Sequence, residues 1–109
     1  MPFDCTLQLA GDTVIVTPEG DIDLATSRAV REILREVVAS RMDGRVVVDL
    51  EKVTFVDSGG IGVFVAAKRA AAARGVGFGL RNPGPVVRML LEVTKLADHL
   101  VEEPHPTAG

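Results

Sequence analysis

Residues 53–62 read VTFVDSGGIG, and the rest of the chain can be arranged around this stretch. The apolar run Val46–Val48 ends shortly before it, and apolar residues at helical spacing begin within it. The stretch contains one carboxylate, Asp57, one hydroxyl next to it, Ser58, and glycines at 59, 60 and 62. A serine at the start of a helix, beside backbone without side chains, is accessible to another protein. We therefore expect the functional site here.

The composition of the 109 residues is that of one globular domain, with 47% hydrophobic and 25% charged residues. The net charge of −3, the lack of a basic cluster and the absence of Trp and Tyr argue against nucleic-acid binding. No apolar run is long enough for a membrane span. Cys5 is the only cysteine, and no signal peptide is recognisable. We expect a cytoplasmic protein without a nucleic-acid or membrane partner.

The first half of the chain predicts a hairpin followed by a helix. Period-two alternation from Phe3 to Leu9 predicts a half-buried strand, and Thr13–Thr17 predicts an antiparallel return. The sequence GDID at 20–23 predicts a turn in which Asp23 caps the next helix. That helix is expected at about Leu24–Arg41, with an apolar face made of Val30, Ile33, Leu34, Val37 and Val38.

The second half predicts strands alternating with helices. Val46–Val48 lacks polar alternation, as is typical of a strand buried on both faces. After the central helix, Gly75 is the expected C-cap, Val76–Leu80 a strand and Pro85 the first residue of a further helix. The apolar face of that last helix is predicted as Val86, Met89, Leu90 and Val93.

The C-terminal region is expected to add one small buried element at Leu96 and Leu100, with a short strand at His99–Glu102. We predict a single α/β (α+β) domain over residues 1–109, with an ordered core at about 3–102 and a loose tail at 103–109. The element order is β-β-α-β-α-β-α, which indicates one mixed sheet with helices packed on it.

Two interpretations of the central stretch follow from its residues. In the structural one, Ser58 caps the helix and the glycines only make room. Each glycine costs a helix about 1 kcal/mol relative to Ala, however, so three of them favour close approach of another molecule. A phosphate on Ser58, with a charge of about −1.5 to −2, would lie beside Asp57 and near Asp23, and would disturb such a contact without unfolding the domain.

Enzymatic alternatives are weaker. The G-x-S-x-G elbow is absent because Val56 replaces its first glycine, and only His99 and His105 could act as a base. No phosphate-binding glycine loop and no metal-ligand spacing is present. We therefore expect no catalytic residue, no metal site and no cofactor.

The same residues resemble the STAS domain, and in particular the bacterial anti-sigma factor antagonists, over nearly the whole chain. GDID at 20–23 is similar to the family's G-E-L-D turn, and the segments 47–50 and 53–58 match V-x-D-L and V-x-F-x-D-S. GIG at 60–62 matches the family's G-[LI]-G, and Pro85–Leu90 resembles its later proline-led helix. The resemblance implies a STAS fold: a mixed sheet of four to five strands with three to four helices packed on it.

The resemblance also implies a function. Ser58 corresponds to the serine that an anti-sigma factor phosphorylates, acting as an ATP-dependent serine kinase. The unphosphorylated antagonist binds that kinase and frees the sigma factor, and a metal-dependent serine phosphatase restores it. Asp23, Asp57, Ser58, Gly59, Gly60, Ile61 and Gly62 would form the partner-binding surface.

Three departures from the family pattern stand out. Gly59 replaces the usual Ser or Thr after the phosphoacceptor, and Lys95 replaces a usual Gly before Leu96. The chain ends soon after Glu103, where many relatives continue into another helix, so a partner or a weak homodimer could cover that face. Two other functions stay open: an accessory subunit of a membrane transport ATPase complex, in which Ser58 is only a cap, and a small-ligand or nucleotide-binding module.

Overall fold

A computed structural model describes residues 4–102. Phe3, at the edge of the predicted core, and the predicted tail at 103–109 lie outside the described residues. The strands are β1 (Cys5–Ala10), β2 (Thr13–Pro18), β3 (Gly20–Ile22), β4 (Arg45–Asp49), β5 (Val53–Val56) and β6 (Gly77–Arg81). The helices are α1 (Leu24–Ser40), α2 (Ser58–Ala73), α3 (Pro85–Val93) and α4 (Ala97–Leu100). The predicted fold class, α/β (α+β) with a mixed sheet of four to five strands and three to four helices, is confirmed.

The main sheet has the strand order β1-β2-β4-β6. β1 and β2 form the predicted antiparallel hairpin through the turn Gly11-Asp12, in which Gly11 has φ +62°. β4 lies between β2 and β6 and is parallel to both. Its residues Val46–Val48 are all buried, which confirms the prediction of a strand covered on both faces.

A second sheet of two short parallel strands, β3 and β5, was not predicted. GDID at 20–23 was predicted as a turn, and residues 53–56 were not predicted as a strand. Three- and four-residue strands are too short to show a reliable period, and Gly and Asp are unusual in strands. The parallel pairing places the C-terminal ends of β3 and β5 side by side, so that α1 and α2 begin next to each other.

The two long helices pack on each other and on the sheets. α1 buries the predicted face except that Ile33 is only partly buried. In α2 the side chain of Phe64 is fully buried. Gly75, with φ +73°, directly follows the C-cap Arg74, so α2 ends where the sequence predicts.

The predicted apolar face of α3 is mostly wrong, although Pro85 does begin the helix and the predicted Leu90 is partly buried against the core. Val87 and Leu91 are buried, whereas Val86, Met89 and Val93 are exposed. Because α3 carries apolar residues around most of its circumference, periodicity alone could not select the buried side.

The last element is the short helix α4, not the predicted strand at His99–Glu102. Leu100 is buried as predicted, and only Val101 makes a single parallel bridge to Leu80. Lys95 has φ +61°, a conformation that glycine adopts without strain, which explains why a glycine suits this position.

β1 is less buried than predicted. Leu7 and Leu9 lie on the same side of the sheet as the buried Val16, but both remain exposed at the edge. The prediction of a half-buried strand assumed a covering layer, and the helices pack over the inner strands instead.

Candidate functional site

The starts of α1 and α2 lie together at one edge of the β3–β5 pair. Ile22 and Val56, the last residues of these strands, are directly paired. The backbone N–H of Asp57 donates to the carbonyl oxygen of Ile22 at 3.0 Å. The residues that follow Ile22 and Val56 in sequence, Asp23 and Asp57, are the N-caps of α1 and α2. The fold thus brings together the two carboxylates that the sequence analysis selected.

The start of α1 is extensively hydrogen-bonded by its own side chains. Asp23 Oδ1 accepts from the backbone N–H of Ala25 and of Thr26, both at 3.0 Å. In return the Thr26 hydroxyl accepts from the Asp23 N–H at 2.8 Å, and it donates to the carbonyl oxygen of Asp21 at 2.7 Å. The bonds from the backbone and hydroxyl of Thr26, and then from Ala25, lower the pKa of the Asp23 carboxyl. This arrangement is a capping box with Thr at the third helical position.

The start of α2 is only partly hydrogen-bonded. Asp57 Oδ1 accepts from the Gly60 N–H at 2.9 Å and from no other amide of the first turn. Asp57 is therefore the N-cap, and the structural interpretation in which Ser58 caps the helix is wrong. Ser58 is the first helical residue and is exposed, and within residues 4–102 its hydroxyl has no hydrogen-bond partner.

The three glycines of the stretch have different surroundings. A Cβ on Gly60 would lie 2.7 Å from Val56 Cγ1 and 2.9 Å from Ile22 Cγ2, so the packing of α2 on β3 and β5 requires glycine there. A Cβ on Gly59 would lie 3.2 Å from Asp57 Oδ1, and one on Gly62 would meet nothing within 4 Å in the described part of the chain. Gly59 and Gly62 are both exposed. Internal packing explains Gly60 and leaves Gly62 unexplained.

The predicted site residues separate into an exposed group and a buried pair. Asp23, Ser58, Gly59 and Gly62 are exposed, and Asp57 is partly buried by its role as a cap. Gly60 is buried, and the side chain of Ile61 is only 6% exposed and belongs to the core. The expectation that Ile61 contributes its side chain to a partner-binding surface is therefore corrected.

Sequence reasoning missed two features of this site. Leu24, the residue after Asp23, is 78% exposed; it lies off the apolar stripe of α1, which is the signal that could have identified it. The hydroxyl of Thr54 on β5 donates to the carboxylate of Asp21 on β3 and so joins the two short strands. Only the unpredicted pairing of these strands makes that bond visible.

The described part of the chain supplies no metal site and no membrane span. No group of three or more His, Cys, Asp or Glu among residues 4–102 could hold a metal ion. No helix within the same residues is long and apolar enough to cross a bilayer.

Comparison with known proteins identifies the family to which the chain belongs. The family model described as "Mlab, STAS domain" matches residues 5–102. The chain therefore belongs to the STAS domain family, as its motifs predict.

Solved structures refine the comparison. An anti-sigma factor antagonist from Mycobacterium paratuberculosis is 25% identical, with a TM-score of 0.82, and the match covers 96% of this chain and 88% of that one. The anti-sigma factor antagonist SpoIIAA in its unphosphorylated form is 21% identical, with a TM-score of 0.74 and coverage of 96% and 92%. The phosphorylated form of SpoIIAA from Bacillus is 20% identical, with a TM-score of 0.66 and coverage of 98% and 96%. This chain is thus similar in fold to anti-sigma factor antagonists.

Proposed function

We propose that this chain is an anti-sigma factor antagonist controlled by phosphorylation of Ser58. The unphosphorylated form binds a serine-kinase anti-sigma factor and so releases the sigma factor; the phosphorylated form does not bind, and a serine phosphatase restores it. One observation carries the proposal: the Ser58 hydroxyl is exposed and has no hydrogen-bond partner within residues 4–102. It lies at the start of α2, where the cap Asp57 bonds only the N–H of Gly60. The structural likeness to proteins described as antagonists, one of them in a phosphorylated form, supports it.

Ser58 differs from the other hydroxyls at these two helix starts. The Thr26 hydroxyl is committed to Asp23 and Asp21, and the Thr54 hydroxyl is committed to the Asp21 carboxylate. A kinase acting on either threonine would have to break bonds that hold α1 or the β3–β5 pair. Ser58 can be modified with no such loss.

The domain can carry a phosphate at this position. The Asp57 side chain leaves the N–H groups of Ser58 and Gly59 unused, and these groups and the helix dipole stabilise a negative charge by about 0.3–1 kcal/mol at an exposed helix start. The carboxylate of Asp57, and that of Asp23 on the adjacent helix start, oppose the added charge of about −1.5 to −2. We therefore expect the fold to persist while the surface becomes strongly anionic.

The proposed contact surface consists of Leu24, Ser58, Gly59 and Gly62. Gly59 and Gly62 expose backbone, and no atom of residues 4–102 outside the helix's own backbone and the chain neighbours lies within 4 Å of a Cβ built on Gly62. A partner can therefore approach α2 closely, and Leu24 adds apolar area at its edge. Phosphate buried in such a contact would lose its hydration beside the carboxylate of Asp57, which favours release.

In this proposal the chain is a substrate and a ligand, not an enzyme. ATP, magnesium and catalysis belong to the kinase, so the chain needs no cofactor of its own. We place it in the cytoplasm, where sigma factors act.

Gly59 is the position at which the proposed switch departs from the family pattern. A side chain here would bring its Cβ within 3.2 Å of the capping carboxylate, so Ser at this position would require Asp57 to shift by a few tenths of an ångström. Glycine leaves the cap relaxed and makes Ser58 the only hydroxyl of the turn. We propose that it also leaves one site of modification instead of two.

Intact-mass spectrometry of the chain, incubated with candidate anti-sigma kinases and ATP, tests the proposal. We expect one added phosphate on the wild type, none on Ser58→Ala and one on the control Thr54→Ala. Calorimetric titration of the same kinase should show at least about a hundredfold weaker binding for Ser58→Glu, a loss of about 2.7 kcal/mol. If Ser58→Glu binds as tightly as the wild type, the switch is wrong. Binding without phosphate transfer would instead indicate a constitutive antagonist.

The second candidate is an accessory subunit of a membrane transport ATPase complex. The family model that matches is described by the name Mlab and not as an antagonist, so family membership does not decide between the two. Such a subunit should co-purify with a membrane ATPase, and Ser58→Ala should retain its function. A nucleotide-binding module would instead show a thermal shift with nucleotide alone.

A further inference from the structure

The two edges of the main sheet are not equally protected. Beside β6, Val101 bridges Leu80 and the N–H of Glu102 donates to the carbonyl oxygen of Leu80 at 2.6 Å. The outer edge of β1 has no strand beside it within residues 4–102. On this edge Leu7 is 54% and Leu9 66% exposed.

β1 also lacks the features that usually prevent an edge strand from pairing. Natural edges carry charged residues, prolines or bulges. The sequence CTLQLA at 5–10 has no charge and no proline, and β1 pairs with β2 in continuous register from Cys5–Pro18 to Ala10–Thr13. The strand is therefore open to a further strand.

The hydrogen-bonding pattern of β1 identifies which groups face outward. The two-residue turn Gly11-Asp12 makes Ala10 and Thr13 a hydrogen-bonded pair, and such pairs alternate with non-bonded ones. Cys5, Leu7 and Leu9 are thus non-bonded to β2 and direct their N–H and C=O groups to the free edge. The pairing of Cys5 with Pro18 agrees, because Pro18 has no N–H to give.

We propose that two copies of this chain pair through β1, antiparallel and about a two-fold axis at Leu7. Leu7 then faces Leu7 of the second copy, Cys5 faces Leu9 and Thr6 faces Gln8. The outward N–H and C=O groups of the odd-numbered residues bond to each other, and apolar side chains meet on one face of the joined sheet with polar ones on the other.

Charge favours a second copy as the occupant and disfavours one alternative register. Two molecules that each carry a net charge of −3 can meet best where neither is charged, and 5–10 is such a segment. In the Leu7-centred register, Asp4 lies opposite Ala10. The alternative centred on Gln8 also satisfies the hydrogen bonds, but it would place Asp4 opposite Asp12 of the second copy.

The dimer should be weak. A six-residue strand pair buries well below the roughly 800 Å² per partner of a standard interface, so association should depend on concentration. β1 takes no part in the start of α1 or of α2, so pairing leaves Ser58 accessible in both copies.

Sedimentation velocity over a concentration series tests the association. The wild type should shift from monomer to dimer as the concentration rises. Leu9→Lys should reduce the association constant about a hundredfold, about tenfold for each copy, whereas the control Val93→Lys, at an exposed apolar residue on α3, should leave it unchanged. Circular dichroism confirms that both variants fold. A wild type that stays monomeric at all concentrations, or an unchanged Leu9→Lys, would overturn the proposal.

Cysteine cross-linking under a mild oxidant then tests the register. Leu7→Cys in a Cys5→Ser background should form a covalent dimer, since paired strands bring the Cα atoms to about 5.5 Å, within disulfide range. Leu9→Cys should cross-link only when Cys5 is present. If Leu9→Cys cross-links equally well with Cys5→Ser, the Leu7-centred register is wrong.

Discussion

The two helix starts at the site are both capped by an aspartate and differ in how many hydrogen bonds the cap makes to the first turn. Each begins at an aspartate that follows a short strand, and the strands are paired. After Asp23 the first three helical residues are Leu-Ala-Thr, and after Asp57 they are Ser-Gly-Gly. The cap carboxylate accepts from two amides at Asp23 and from one at Asp57, and the third residue returns a bond to its cap only in α1, where the Thr26 hydroxyl accepts from the Asp23 N–H.

This difference separates a structural helix start from a candidate regulatory one. In α1, the carboxylate and the hydroxyl satisfy each other and the first turn. In α2, glycine at the third position lets the helix approach Ile22 and Val56 closely, and the Asp57 carboxylate accepts from only one amide of the first turn. Close packing therefore comes from Gly60 and the partly open first turn from the single bond of the Asp57 carboxylate, with Ser58 exposed at this helix start.

The largest expected loss of stability comes from adding a side chain to Gly60, where the packing leaves no space for one. Gly60→Ala puts a methyl against two stiff, buried, β-branched side chains. Overpacking costs about 1–3 kcal/mol and outweighs the gain of up to about 1 kcal/mol in helix propensity, so we expect a net loss of about 1–2 kcal/mol. Urea unfolding measures it. Unchanged or increased stability would show that Gly60 is not required for packing.

Removing each cap should reveal the asymmetry between the two helix starts. Asp57→Ala loses one acceptor and should lower the free energy of unfolding by about 1 kcal/mol. Asp23→Ala loses two and also the partner of the Thr26 hydroxyl, so its loss should be the larger in the same urea series. The reverse order would mean that the start of α2 is held more tightly than the start of α1.

Sequence predicted the long elements well because their signals are repeated along the chain. The face of α1, the buried Val46–Val48 and the end of α2 at Gly75 each rest on several residues or on a strong local preference. The β3–β5 pair could not be predicted, since its few residues resemble a turn and its stability comes from a partner 33 residues away. The buried side of α3 was unpredictable for the opposite reason, too many apolar residues.

At the site, residue types were predictable and their roles were not. Asp23 as a cap follows from its position before an amphipathic helix. Whether Asp57 or Ser58 caps α2, and which of the three glycines the packing requires, depends on distances across the β3–β5 pair. That pair is the part of the fold that local sequence does not encode.

Gly62→Ala should separate stability from partner binding. The added Cβ would have no contact within 4 Å in the described part of the chain, so the stability of the helix should rise by about 0.5–1 kcal/mol. If a partner approaches the backbone here, the same methyl should weaken binding to the anti-sigma kinase about tenfold. Ala66→Gly, at an exposed position further along α2, is the matched control and should lose stability without affecting binding. A more stable Gly62→Ala that binds as well as wild type would remove Gly62 from the proposed surface.

The smallest expected effect is the dependence of stability on low pH that comes from Asp23, the N-cap of α1. The bonds from Thr26 and Ala25 lower the pKa of Asp23 in the folded chain, so at low pH the unfolded chain binds the proton more readily. The stability that Asp23 contributes is therefore full above the ordinary pKa of an aspartate and is lost as the pH falls through the lowered value. Asp23→Asn keeps a capping oxygen without this titration, so the difference in unfolding free energy between wild type and variant should shrink over that window. Thr26→Val removes the hydroxyl and keeps the amide. In this variant the stability that Asp23 contributes should be lost at a higher pH than in the wild type. Parallel curves for wild type and Asp23→Asn would show that the carboxylate charge does not stabilise the start of α1, and that the contrast with α2 rests on hydrogen-bond count alone.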